Sequence, residues 1–152
     1  MVGKAHYSEM NLVKNDLIVP PHIFRASLQS RMADDSPPIY SAGLDLWSSH
    51  HSGYMGLNLH YLNPEFERVI FNLSCTPFDT SHTGLNISRK LHSVLEDWEV
   101  DKKMTVCLRD NAANMASAFN DVNQDEFAVK LESVGCMTHT LQGTNQSNHL
   151  TL

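Results

Sequence analysis

The sequence is short of cysteine, of positive charge and of long apolar runs. Its three cysteines, Cys75, Cys107 and Cys136, are an odd number with no CxxC pair, which argues against a disulfide framework and against a cysteine-rich zinc finger. Lys and Arg number 11 against 17 Asp and Glu, a net charge of -6. That balance weighs against nucleic-acid binding by charge alone, so any DNA contact needs a local basic patch or a further module. No apolar run approaches the roughly 20 residues of a membrane helix. The N-terminal MVGKAHYSEMNLVKND lacks the continuous apolar core of a signal peptide, so the expectation is no membrane association and an intracellular setting. GxSxG, P-loop and dinucleotide-binding glycine patterns are also missing, as is any internal repeat.

What remains is a chain of 152 residues, 41% hydrophobic and 18% charged, about one domain in length and able to form a core without staples. Its organising stretch is MTVCLRDNAANM, Met104 to Met115. Met104, Val106 and Leu108 alternate with Thr105, Cys107 and Arg109 as in a strand, and the run stops at Asp110. Ala112, Met115, Ala116 and Phe119 then recur at helical spacing. Asp110 either caps that helix or stands at the carboxyl end of a strand, where α/β folds commonly place metal or phosphate sites.

Residues 1–38 show weak periodicity and read as a peripheral arm, with one short helix over Ile23, Phe24 and Leu28. Asp34 to Pro38 make a turn or linker, so the domain proper should start near Ile39. Three strands joined by hairpins follow. In the first, Tyr40, Ala42, Leu44 and Leu46 share one face and Gly43, Asp45 and Trp47 the other; Ser48 to Gly53 is a polar connection. Met55, Leu57, Leu59 and Tyr61 mark the second, and Arg68 to Thr76 the third. Thr83 can cap a helix whose apolar stripe is Ile87, Leu91, Val94, Leu95 and Trp98. A strand, a helix and another strand at this spacing suggest a right-handed crossover. The fold class is therefore α/β, a mixed sheet of three antiparallel strands, a crossover helix, a parallel strand and a helix. Residues 143–152 carry no apolar pattern and read as a loosely ordered tail.

The chemistry rests on Asp45 and Asp110. With the first and fourth strands as neighbours, the two carboxylates can face one space, where they repel unless a cation or proton sits between them. Mg²⁺ or Mn²⁺ suits such oxygen ligands, and two-metal phosphodiester chemistry uses them. An Asp in an otherwise apolar strand is costly unless satisfied, although on a one-sided strand it is simply exposed. Cys136 and His139 form a CxxH pair, but a structural zinc site needs four ligands, so packing is the expected role. His50, His51 and His60 read as loop or surface residues, and Trp47 and Trp98 as core or edge aromatics.

Leu44-Asp45-Leu46-Trp47-Ser48-Ser49, Tyr54, Leu59-His60-Tyr61, His82-Thr83-Gly84 with Asn86-Ile87, Trp98, Asp110-Asn111-Ala112-Ala113-Asn114-Met115, and Cys136 with His139-Thr140-Leu141 resemble, in order, the hAT transposase superfamily. The likeness is nearest to its domesticated members, the zinc finger BED domain-containing proteins, and covers about residues 39–142. It implies a partial RNase H-like core over that stretch, with Asp45 and Asp110 as the first two metal-binding acidic residues and His139 as a helper at the active site or with DNA. It also implies metal-assisted cutting and joining of DNA in active members, DNA binding and transcription regulation in the nucleus in domesticated ones, and a homo-oligomer in the full-length protein. The third acidic residue, a Glu, follows a large helical insertion in the family. Here Gln142 is followed by GTNQSNHLTL, and Arg109 stands where a small or hydroxyl residue is usual. The expectation is thus a truncated, catalytically inactive core whose sheet lacks its last strand. A piece of an active transposase and a protein-interaction module are the alternatives.

Overall fold

A computed structural model describes residues 21–37, 39–49, 52–127 and 129–138. The chain forms two compact units, one comprising residues up to Pro37 together with Leu62–Val69 and the other Pro38–Tyr61 with Ile70 onwards. In the first unit, α1 (Pro21–Asp35) runs for 15 residues, longer than the short helix expected over Ile23 to Leu28. Its last turn carries an i,i+4 ion pair, Arg31 to Asp35 at 3.8 Å, and Ser36, at φ 41°, ends it.

The second unit is built on a sheet of β1 (Tyr40–Ser49), β2 (Ser52–Leu62), β3 (Arg68–Pro77), β4 (Met104–Arg109) and β5 (Glu132–Gly135), with α2 (Gly84–Asp97) and the short α3 (Ala113–Ser117) flanking β4 in sequence. The strand order is β3-β2-β1-β4-β5. β1 pairs antiparallel with β2 and parallel with β4, and β4 pairs parallel with β5. The five residues between β2 and β3 are too few for a crossover, so these neighbours also run antiparallel. The mixed α/β sheet expected from the sequence is present, with two differences. The polar connection after β1 is shorter, because the strands continue to Ser49 and resume at Ser52. The sheet does not stop at β4, because β5 adds a fifth strand.

One face of the sheet forms the core. Tyr40, Ala42 and Leu44 of β1, Met55, Leu57 and Leu59 of β2, and Phe71 of β3 are buried there. α2 brings Ile87, Leu91, Val94 and Leu95 to the same interior. Thr83 caps α2 as its sequence suggests, its hydroxyl accepting from the Asn86 N–H at 3.3 Å. Trp98, at the other end of the helix, is a core aromatic whose indole N–H donates to the Leu73 carbonyl at 3.1 Å. Burial of this kind stabilises by roughly 1.5–3 kcal/mol for each large apolar side chain, and it fixes which face of β1 looks outward.

The stretch between α3 and β5 closes on a buried amide side chain. Gln124, 2% exposed, donates from Nε2 to the carbonyls of Phe119 (2.9 Å) and Leu131 (3.0 Å) and accepts the Leu131 N–H at 2.7 Å. Beside it the His92 ring of α2 stacks on Phe127, centroids 3.7 Å apart and planes within 8°. These contacts deliver the chain to β5.

Candidate functional site

Asp45 and Asp110 lie one step beyond the β1–β4 ladder. The parallel β1–β4 ladder pairs Gly43 with Leu108 and Leu44 with Arg109. One step on, Asp45 and Asp110 fall level on neighbouring strands, which lie about 4.8 Å apart. Leu44 is buried in the core, so by alternation Gly43, Asp45 and Leu108 belong to the opposite face, turned away from α2. Asp45 is exposed and Asp110 half-buried. Exposure removes the desolvation argument for Asp45, since a carboxylate in water needs no partner, and leaves its convergence with Asp110 as the feature that singles it out.

Asp110 is not the helix cap. The N-cap of α3 is Ala112, without a side-chain hydrogen bond. Asp110 Oδ1 instead accepts the Ala112 N–H at 2.8 Å, a local turn that fixes the carboxylate just beyond β4. The backbone beneath is tied down from several sides. The Arg109 guanidinium donates to the Asp110 carbonyl at 2.8 Å and to the Ser133 hydroxyl at 3.0 Å. The Cys136 N–H donates to the Arg109 carbonyl at 2.7 Å. Asn111 Nδ2 donates to the Cys136 carbonyl at 3.2 Å, and Asn111 lies so close over Gly135 that a Cβ there would collide with its Oδ1. Asn114 of α3 reaches the His82 carbonyl at 3.0 Å. The residues around Asp110 thus secure the end of β4 to β5 and to the loop before α2.

Beside Asp45, Trp47 stacks on Tyr54 across the β1–β2 pair, centroids 5.8 Å apart and planes within 16°. Gly56, the cross-strand partner of Asp45, lies under the Trp47 ring, where a Cβ would come within 2.9 Å of it. Trp47 is therefore an edge aromatic, 39% exposed, packed flat against the sheet next to the carboxylate.

The remaining sequence candidates that lie among the described residues do not converge on this point. Cys136 sits half-buried at the end of β5 and engages through its backbone, as packing requires; His139 lies outside the described residues, as do His50, His51 and the 143–152 tail. His60 is half-buried on β2. Cys107 is buried in β4, and desolvation pushes its thiol up to about 12, which makes it inert. No group of three or more His, Cys, Asp or Glu side chains that could hold a metal occurs among the described residues. Glu132, the acidic residue of β5, pairs with Val106, four rungs before the level of Asp110 and so roughly 13 Å along the sheet. Arg109 and Asn111 act as positioning residues through partners on β5, which motif and spacing alone do not reveal.

The two carboxylates fit a divalent cation in part. Mg²⁺ characteristically binds through one or two carboxylates, keeps several waters and takes substrate phosphate oxygens for the rest, and exposed Asp45 and Asp110 leave room for both. The family model described as the ZBED1 RNase-like domain matches residues 43–135, which includes both aspartates. The chain belongs to this ZBED1-like, hAT-related family. Among curated relatives, "Putative transcriptional regulator tpeD" of Talaromyces stipitatus is 27% identical over 67% of this chain and 13% of its own length. "Putative AC transposase" of Zea mays is 24% identical over 57% of the chain and 11% of its own length. The ZBED1-like chain thus matches about a tenth of the length of these relatives. Endonuclease V from Bacillus subtilis is similar over 61% of this chain and 45% of its own, at 14% identity and a TM-score of 0.27, too low to carry an argument. No helix among the described residues is long and apolar enough to cross a membrane.

Proposed function

We propose that this hAT-derived domain serves a nuclear protein that binds DNA and regulates transcription, and that in its present form it does not cut or join DNA. The observation that carries this reading is the pairing of Asp45 with Asp110 without a third carboxylate at the same level among the described residues. A divalent cation held there would supply Lewis-acid polarisation of a phosphate and a water of lowered pKa. The chain's own part would be to fix ligand oxygens on neighbouring strands, through β1 alternation for mid-strand Asp45 and through the Arg109, Asn111 and Ala112 contacts for Asp110 just beyond β4. Two carboxylates can hold a cation against a phosphate; balanced stabilisation of attacking and leaving oxygens calls for more ligands. The net charge of -6 agrees with a domain whose DNA contacts come from a separate module. The names of the curated relatives, a regulator and transposases, are compatible with both outcomes of such a core.

The test is incubation of the purified chain with end-labelled duplex and nicked DNA in Mg²⁺ or Mn²⁺. The expected result is no cleavage and no joining above the level of an Asp45→Ala variant. Metal-dependent nicking that disappears in Asp45→Ala and in Asp110→Ala would overturn the inactive reading and favour a piece of an active transposase.

A further inference from the structure

Two side chains of α2 reach the stretch between α3 and β5. Arg89 pairs with Glu126, Nε to Oε1 at 2.6 Å, but both are exposed, and exposed ion pairs contribute little. One turn on, the His92 ring lies face to face on Phe127, and this stack of a buried ring is the stronger tie. The stretch it holds leads through Gln124 and Leu131 into β5, none of whose four residues is in the core. Short segments with few buried apolar groups open at lower free energy than the sheet they flank. β5 and its lead-in are therefore an element that can leave while β1 to β4 stay folded.

His92 is poorly placed to carry a charge in the closed form. Its ring is buried and its Nε2 has no partner among the described residues; Ser88, one turn earlier on α2, is buried too and its hydroxyl is likewise unpartnered. The groups that act on the ring are Glu96, one turn later on α2, Asp101, in the turn before β4, and the Gln124 amide of the stretch itself. They favour the cation, but the loss of water around the ring outweighs them. Opening returns the ring to water, where an imidazole titrates near 6.5. The open form thus takes up the proton more readily than the closed one, and the open fraction grows as pH falls through 6.5.

We propose that His92 is a pH-sensitive latch: neutral, it holds residues 119–135 closed through Phe127, and protonated, it lets β5 leave β4. The consequence reaches Asp110. Ser133 accepts from the Arg109 guanidinium, the Cys136 N–H donates to the Arg109 carbonyl, and the Cys136 carbonyl accepts from Asn111. The residues that set the end of β4 lose these partners when β5 departs, and Asp110 is released with them. Weaker hold on a cation there is a corollary that rests on the metal reading above; the latch itself does not, and is tested without metal.

Amide hydrogen exchange of the 152-residue chain, followed by nuclear magnetic resonance between about pH 7.5 and pH 5.5 on either side of the histidine range, is the test. Rates are expressed as protection factors, which removes the intrinsic pH dependence of exchange. The reporters are the Leu131 N–H, bonded to the Gln124 side chain, and the Cys136 N–H, bonded to Arg109. Their protection is expected to fall several-fold over that range, about 10-fold being the ceiling for a single proton. The Phe78 N–H, bonded to the Gly53 carbonyl, should keep its protection. His92→Phe keeps the stack and cannot titrate, so in that variant the Leu131 and Cys136 amides should show no such fall. Should the variant not fold, the parent profile decides alone. Protection of Leu131 and Cys136 that is flat with pH in the parent, or that falls no more than at Phe78, would overturn the proposal, as would an equally steep fall in a folded His92→Phe.

Discussion

Gln124→Ala is expected to lower stability by about 3 kcal/mol, read as a shift of the urea midpoint at unchanged slope. Three main-chain groups depend on this one amide, the carbonyls of Phe119 and Leu131 and the Leu131 N–H. Leu131 is itself 3% exposed, so water cannot take over these bonds without opening the structure. A buried polar group left unsatisfied costs roughly 1–3 kcal/mol, and truncation also leaves a cavity. The effect should be local as well as large. Leu131 immediately precedes β5, so hydrogen exchange should quicken first in Glu132–Gly135 and then at Arg109, whose carbonyl takes the Cys136 N–H. Conversion of Gln124 to Glu would keep the shape but replace both Nε2 donor bonds with carboxylate oxygens facing carbonyls, and should cost at least as much.

His92 carries the second large effect. Its ring is 3% exposed, stacked on Phe127, and its Nε2 has no hydrogen-bond partner among the described residues. Truncation to Ala should cost roughly 3 kcal/mol, near the low end for losing a buried aromatic side chain. The same burial makes the protein acid-sensitive. Desolvation pulls the His92 pKa below 6.5, against smaller opposing contributions from Gln124, Glu96 and Asp101. The unfolded chain therefore takes up the proton first as pH falls. The stability contributed by neutral His92 is complete above pH 6.5 and declines as pH falls from there through the lower folded value, beyond which the loss levels off. Melting temperatures measured from pH 7.5 to pH 5 should show this fall in the parent chain. In a His92→Phe variant, which keeps the stack and removes the titrating ring, that portion of the fall should disappear.

The parts of the fold legible in the sequence were those in which one physical rule acted alone. Alternation placed Leu44 inside and Asp45 outside on β1, and the stripe from Ile87 to Trp98 set the buried side of α2. β5 escapes the sequence reading because Glu132–Gly135 is only four residues, alternately exposed and half-buried with none in the core, and because the side chain that positions it, Gln124, is a buried polar residue in a stretch that reads as loop. Asp110 looked like a cap because acidic residues at such boundaries usually are; Asn111, drawn onto Gly135, moved the helix start to Ala113. The parallel pairing of β1 with β4, which puts Asp45 and Asp110 on neighbouring strands, could be anticipated from element order. The contacts that hold Asp110 in place depend on β5 and could not.

The central claim, that Asp45 and Asp110 converge to hold one divalent cation, is tested most directly by calorimetric titration of the folded chain with Mn²⁺, with Asp45→Ala and Asp110→Ala in parallel. Exposed Asp45 should be replaceable without unfolding, which far-ultraviolet circular dichroism checks. The account predicts a single site in the parent chain and a loss of affinity of at least about 10-fold in each variant, since even outer-shell partners of a metal cost that much. A folded parent chain that takes up no Mn²⁺, or one whose binding survives both substitutions, would contradict it.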